Sequence, residues 1–123
     1  FLVALLFGQS LLAAPGPIRI YTEIYHQGRR ISTNSALVKS GQKSVVKSEA
    51  RDTRRGAQHY NVEISPRSVN RKGPIHLSYN VSIKEKNHET LNHGSFKVRP
   101  GEVTEISIDR GRTLIKLKAQ EAI

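Results

Sequence analysis

Few side chains in this sequence can carry covalent or metal chemistry. Cysteine, methionine and tryptophan are absent. That removes a thiol nucleophile, a cysteine zinc site, a disulfide staple and a lipid-modified cysteine anchor. The five histidines are His26, His59, His76, His88 and His93, and only the run His88-Glu89-Thr90-Leu91-Asn92-His93 brings two of them close. A zinc-binding H-E-x-x-H motif uses a separation of four to place both imidazoles on one face of a helix. Here the separation is five and the segment reads as a polar connection, so His88 and His93 stand only as a metal-binding alternative. No G-x-S-x-G elbow surrounds any serine. The ten carboxylates sit mostly beside Lys or Arg, and the glycines fall singly at turns without forming a phosphate-cradling loop. The expectation is a non-enzyme with no catalytic residues, no cofactor and no metal.

What the chain has in excess is positive charge. Lys and Arg number 20 against 10 acids, a formal net charge of +10. Nine basic residues lie between Lys39 and Lys72 against Glu49, Asp52 and Glu63, so this stretch holds six of the ten net charges. The candidate partner-binding residues are Lys47, Arg51, Arg54, Arg55, Arg67, Arg71 and Lys72. A patch of this kind concentrates anions and steers acidic partners. Nucleic acid is not expected, because no aromatic-rich strand pair is evident to stack bases. An acidic protein face, an acidic glycan or a phospholipid headgroup fits better. Arg54-Arg55 also reads as a protease-sensitive pair.

Two kinds of segment must position these residues. Residues 1–14, FLVALLFGQSLLAA, are apolar and uncharged. The run is too short to span a bilayer, which takes roughly 20 residues, and it reads as a signal-peptide core with cleavage after Ala13. No second apolar run follows, so no transmembrane segment is expected in the mature chain. From Ile18 onward the dominant period is two, the mark of half-buried strands. Ile18, Ile20, Thr22 and Ile24 share one face, and His26 to Arg29 turn the chain back into a strand from Arg30 to Lys39. Ser44 to Lys47 is a short strand, followed by a mobile charged loop over Ser48 to Ala57. Gln58 to Ile64 alternates cleanly and is ended by Ser65-Pro66. Ile75 to Ile83 is the clearest strand, with Asn80-Val81-Ser82 presenting a glycosylation sequon on its outward face. Asn87 to Gly94 reads as a polar connection. Ser95 to Val98, Val103 to Ile108 and Thr113 to Lys118 close the fold, separated by turns at Pro100-Gly101 and Gly111. The fold class expected is all-β: one domain over residues 15–123, an antiparallel β-sandwich or small barrel of about seven short strands.

The stretch Ile31-Ser32-Thr33-Asn34-Ser35-Ala36-Leu37-Val38-Lys39-Ser40-Gly41-Gln42-Lys43-Ser44 leads through a polar Asn segment and an apolar strand into a glycine turn. Tyr60-Asn61-Val62-Glu63-Ile64-Ser65-Pro66-Arg67 and Ile75-His76-Leu77-Ser78-Tyr79 follow. Over residues 18–84 this order resembles the β-motif of bacterial secretins, the ring-forming outer-membrane channels of secretion and pilus systems. The resemblance implies a stand-alone envelope module that keeps the motif without the channel, with self-association as its mode of action.

Taken together, the residues point to a small exported, basic, non-catalytic β-domain, periplasmic or secreted. It would bind a protein or an anionic surface through an exposed edge strand and the basic loop. The first and last strands, Ile18 to Tyr25 and Thr113 to Lys118, are the expected edges.

Overall fold

The structure, a computed structural model, describes residues 16–52, 56–70 and 73–122. The apolar run 1–14, where cleavage after Ala13 is expected, lies outside the described residues. Eight strands follow in order: β1 (Ile18–His26), β2 (Arg29–Val38), β3 (Ser44–Asp52), β4 (Gly56–Ser68), β5 (Ile75–Glu85), β6 (His88–Val98), β7 (Val103–Ile108) and β8 (Thr113–Glu121). They form two antiparallel four-stranded sheets, β2-β1-β8-β7 and β3-β4-β5-β6. Both sheets contribute to one core. Ile18, Ile20, Ile24, Ile115 and Leu117 from the first meet Tyr60, Val62, Ile64, Ile75, Leu77 and Val81 from the second. This is a β-sandwich, but a meandering one. Each strand pairs with its neighbour in sequence, β8 returns to pair with β1, and the ladder is interrupted only between β2 and β3 and between β6 and β7.

That closure corrects the expectation about edges. β1 and β8 pair with each other along their whole length, from Ile18 opposite Glu121 to His26 opposite Thr113. They therefore lie in the middle of their sheet, and the edges are β2, β7, β3 and β6. The physical reason is in their inward faces. Ile18, Ile20, Ile24 and Ile115 are fully buried and Leu117 nearly so, and burying such a stripe is worth about 1.5–3 kcal/mol per large side chain. A central position covers them on both flanks.

Three local readings also change. The charged segment after Lys47 continues β3, because Val46 and Ala50 point inward and are buried while Lys47, Glu49 and Arg51 point out. The alternation was present but carried by small residues. Residues 53–55, which include Arg54 and Arg55, join β3 to β4 and lie outside the described residues. Pro66 does not end β4, which runs on to Ser68 opposite Ile75. A strand residue directs its N–H and C=O to the same side. The Pro66 carbonyl accepts from the Gly41 N–H at 2.7 Å, on the flank where β3 has not yet begun, so the missing donor costs no ladder bond. The segment from His88 to Gly94 is the first half of β6, held by pairing with β5 from Glu85 opposite His88 onward. Its inward residues Thr90, Asn92 and Gly94 are only half-buried, so hydrophobic period alone could not reveal it.

The turns follow the chemistry expected of them. Gln27 and Gly28, with φ of 52° and 80°, make a two-residue hairpin turn whose twist suits the flanking strands. Past it, Ile31 bulges out of register where Ile24 pairs with Ser32 and Tyr25 with Arg30, and Ile31 packs against the core.

Candidate binding surface

One end of the sandwich is sealed by polar groups instead of hydrocarbon. His26 closes β1, Thr113 opens β8, and Gln58 and Tyr60 lie on β4. The Tyr60 hydroxyl is the hub. It lies 2.7 Å from His26 Nδ1, 3.2 Å from Thr113 Oγ1 and 3.3 Å from Gln58 Oε1, to which it donates. A phenol has one proton and two lone pairs, so donation to Gln58 leaves acceptance from His26 and Thr113. Gln58 Nε2 in turn donates to Glu85 Oε1 at 2.9 Å. Gln58, Tyr60 and Thr113 are at most 3% exposed, so the network joins the two sheets in a dry setting where each bond counts for more than in water. No sequence feature linked these residues, and His26 reads from sequence as part of an exposed turn. It is buried because β1 runs one residue beyond the expected end.

Beside this seal, the interruption between β2 and β3 opens into a cleft of about 480 Å³. Its lining includes His26, Arg29, Ile31, Glu49, Ala50 and Arg51. The outer face of β3 adds Lys47, exposed and cross-strand from Asn61. On the same outer face Glu49 pairs with Arg51 at 3.6 Å across largely exposed side chains, a contact worth little. Of the seven residues singled out from sequence, Lys47 and Arg51 share the outer face of the β3 edge. Arg67 also points outward, on β4 at the opposite end, and is exposed. It faces His76 across the ladder. Arg54, Arg55, Arg71 and Lys72 lie outside the described residues.

His88 and His93 do not converge. An odd separation along a strand puts side chains on opposite faces, and five steps of β6 span about 17 Å. His88 instead contacts Thr90 Oγ1 at 3.3 Å, on its own side of the strand. The two cannot share an ion in this fold. Among the described residues no group of three His, Cys, Asp or Glu side chains is placed to hold a metal.

Sequence reasoning missed one further surface. Tyr21 and Tyr25 stand on the outer face of β1, with Lys118 Nζ 4.6 Å from the first ring centroid and Lys116 Nζ 5.0 Å from the second. These are cation–π pairs between adjacent strands. A groove of about 540 Å³ runs past Tyr21, Ser35, Val103 and Lys118. The signal lay in the register between the first and last strands, which a single chain does not display. Among the described residues no helix is long and apolar enough to cross a membrane. Comparison of the chain with protein-family models, with curated proteins and with solved structures finds no match.

Proposed function

We propose that this chain is a small, exported, non-catalytic binding module of a bacterial periplasm or cell envelope, and that it takes an extended, acidic segment of a partner protein. The observation that carries this reading is the position of β3. It is an edge strand, it bears Lys47 and Arg51 on its exposed face, and a cleft bounded by Arg29 and Arg51 lies along its flank. An edge offers unpaired backbone groups that an incoming strand can take up, while the basic side chains orient an acidic one and speed its encounter. Part of the basic segment read from the sequence is thus itself an edge strand, in place of the first and last strands expected to be edges. Export is the part supported by the uncharged apolar run at residues 1–14.

The test uses an acetylated peptide of alternating Val and Glu, about ten residues long, titrated into the ¹⁵N-labelled chain. Binding should shift β3 amides and slow their exchange with solvent. Charge reversal at Lys47 and Arg51 should weaken it, more at about 20 mM salt than at 200 mM, where the Debye length has shrunk to roughly 7 Å. Shifts that avoid β3, or equal affinity after charge reversal, would sink the reading. A discrete large assembly by light scattering would reassign the same edges to self-association.

A further inference from the structure

The outer face of the β3-β4-β5-β6 sheet carries a second arrangement, at the end away from the polar seal. Arg67 pairs with His76, and His76 with Lys97, so one cross-strand row sets three basic side chains next to one another. The adjoining row is Ser65, Ser78 and Ser95, again direct cross-strand neighbours. Ser65, Arg67, His76, Ser78 and Ser95 line a depression of about 370 Å³. No other row in either sheet holds three basic residues.

Two lysines around this face are neutralised by neighbours. Lys43 pairs with Glu63 at 3.5 Å and Lys84 with Glu89 at 3.7 Å. Arg67, His76 and Lys97 have no such partner among the described residues, and the three serine hydroxyls make no hydrogen bond there. Arg67 and Lys97 stand on either side of His76, two strands apart, so an anion seated over the row meets a cation from each flank. Paired strands lie about 4.8 Å apart, which brings donors from three strands to bear on one small group. The floor is stiff as well. Ser40 Oγ accepts from the Ser68 N–H at 2.9 Å and donates to the Ser68 carbonyl at 3.3 Å, and the Gly41 N–H is bound to the Pro66 carbonyl. The β2–β3 connection is thereby fastened to the end of β4 that carries Arg67.

We infer that the Ser65-Ser78-Ser95 and Arg67-His76-Lys97 rows form a binding site for a phosphate group, either free or as a lipid headgroup. A carboxylate presents two oxygens in a plane and is served by one guanidinium fork. A tetrahedral phosphate presents oxygens in several directions and can take the Arg67 fork, the Lys97 ammonium and serine hydroxyls together. The inference deepens the anion-binding side of the proposed function and does not depend on strand addition at β3. The two can fail separately, because one is read on β3 amides and the other on β4 to β6.

The experiment titrates inorganic phosphate into the ¹⁵N-labelled chain against sodium chloride of equal ionic strength. Phosphate should move the amides of Ser65, Arg67, His76, Ser78, Ser95 and Lys97 along one saturating curve. Arg67→Gln and Lys97→Gln, both at exposed positions, should each weaken that curve about tenfold, the loss expected for one charge-assisted hydrogen bond. Lys84→Gln, on the same face but already paired, should leave it unchanged. Vesicles of phosphatidylglycerol in phosphatidylcholine separate the sources. Arg67-dependent sedimentation with them assigns a headgroup, and phosphate binding without it assigns free phosphate. Shifts that scatter over every basic residue and are matched by chloride, or an Arg67→Gln variant with wild-type affinity, would overturn the site.

Discussion

Removing one oxygen atom, by Tyr60→Phe, tests whether the polar seal holds the two sheets together. The ring keeps its place in the core, so packing changes little and the loss reads as hydrogen bonding. In the wild type the hydroxyl meets His26 Nδ1 at 2.7 Å, Thr113 Oγ1 at 3.2 Å and Gln58 Oε1 at 3.3 Å. A typical bond contributes about 1 kcal/mol net, but stripping the hub leaves buried groups short of a partner at about 1–3 kcal/mol each. The partners can partly readjust, so the expected cost is about 2–3 kcal/mol. Unfolding entropy near 2.1 cal/mol/K per residue makes 1 kcal/mol worth about 4–5 °C in a domain of roughly 100 residues. Tyr60→Phe should therefore lower the melting temperature by about 10 °C and shift the urea midpoint with no change in slope. Tyr79→Phe is the control, since the Tyr79 hydroxyl makes no hydrogen bond among the described residues, and its cost should stay under about 0.5 kcal/mol. A double-mutant cycle with Thr113→Val should return a coupling above about 0.5 kcal/mol. If Tyr60→Phe unfolds with the wild type, the seal contributes no stability and the reasoning fails.

Four further outcomes are expected. Thr22 is 1% exposed and its hydroxyl has no hydrogen-bond partner among the described residues, so Thr22→Val should raise stability by about 1 kcal/mol in urea unfolding. A Cβ at Gly94 would stand 2.8 Å from the Tyr79 hydroxyl and 3.0 Å from two ring atoms. Gly94→Ala should thus cost about 1–3 kcal/mol, and Tyr79→Leu in the same chain should recover part of it. Asp109, Arg110 and Gly111 hold φ of 56°, 56° and 86° in the β7–β8 turn. Arg110→Gly relieves a side chain of that conformation and should raise the melting temperature by a few degrees, corresponding to at most about 1 kcal/mol. Neutralising Arg51, Arg54 and Arg55 together should slow association with the Val-Glu peptide most at low salt, as stopped-flow rates would show; salt-independent rates would reduce the segment to a solvated surface.

The strongly alternating strands were legible because their inward residues are large and apolar. Ile18, Ile20 and Ile24, Val62 and Ile64, or Ile75 and Leu77 announce a period of two without help. β6 and the second half of β3 were not, because Thr90, Asn92, Ser48 and Ala50 do the same geometric job with little hydrophobic contrast. Pro66 misled for a related reason, since the rule against proline in a ladder applies only on a flank that has a ladder.

The residue order by itself determined the all-β class, the turns at Gly28, Gly41, Gly101 and Gly111, the inward faces of the central strands and the basic surplus of residues 39–72. All of these rest on interactions between near neighbours in the chain and on the two-residue period. Which strands are edges was decided by tertiary structure alone, through the antiparallel meeting of β1 and β8. The same holds for the Tyr60 hub, the Tyr21 and Lys118 pair and the Arg67, His76 and Lys97 row. Each joins residues from separate strands, and cross-strand register comes from packing two sheets around one core, not from any local pattern.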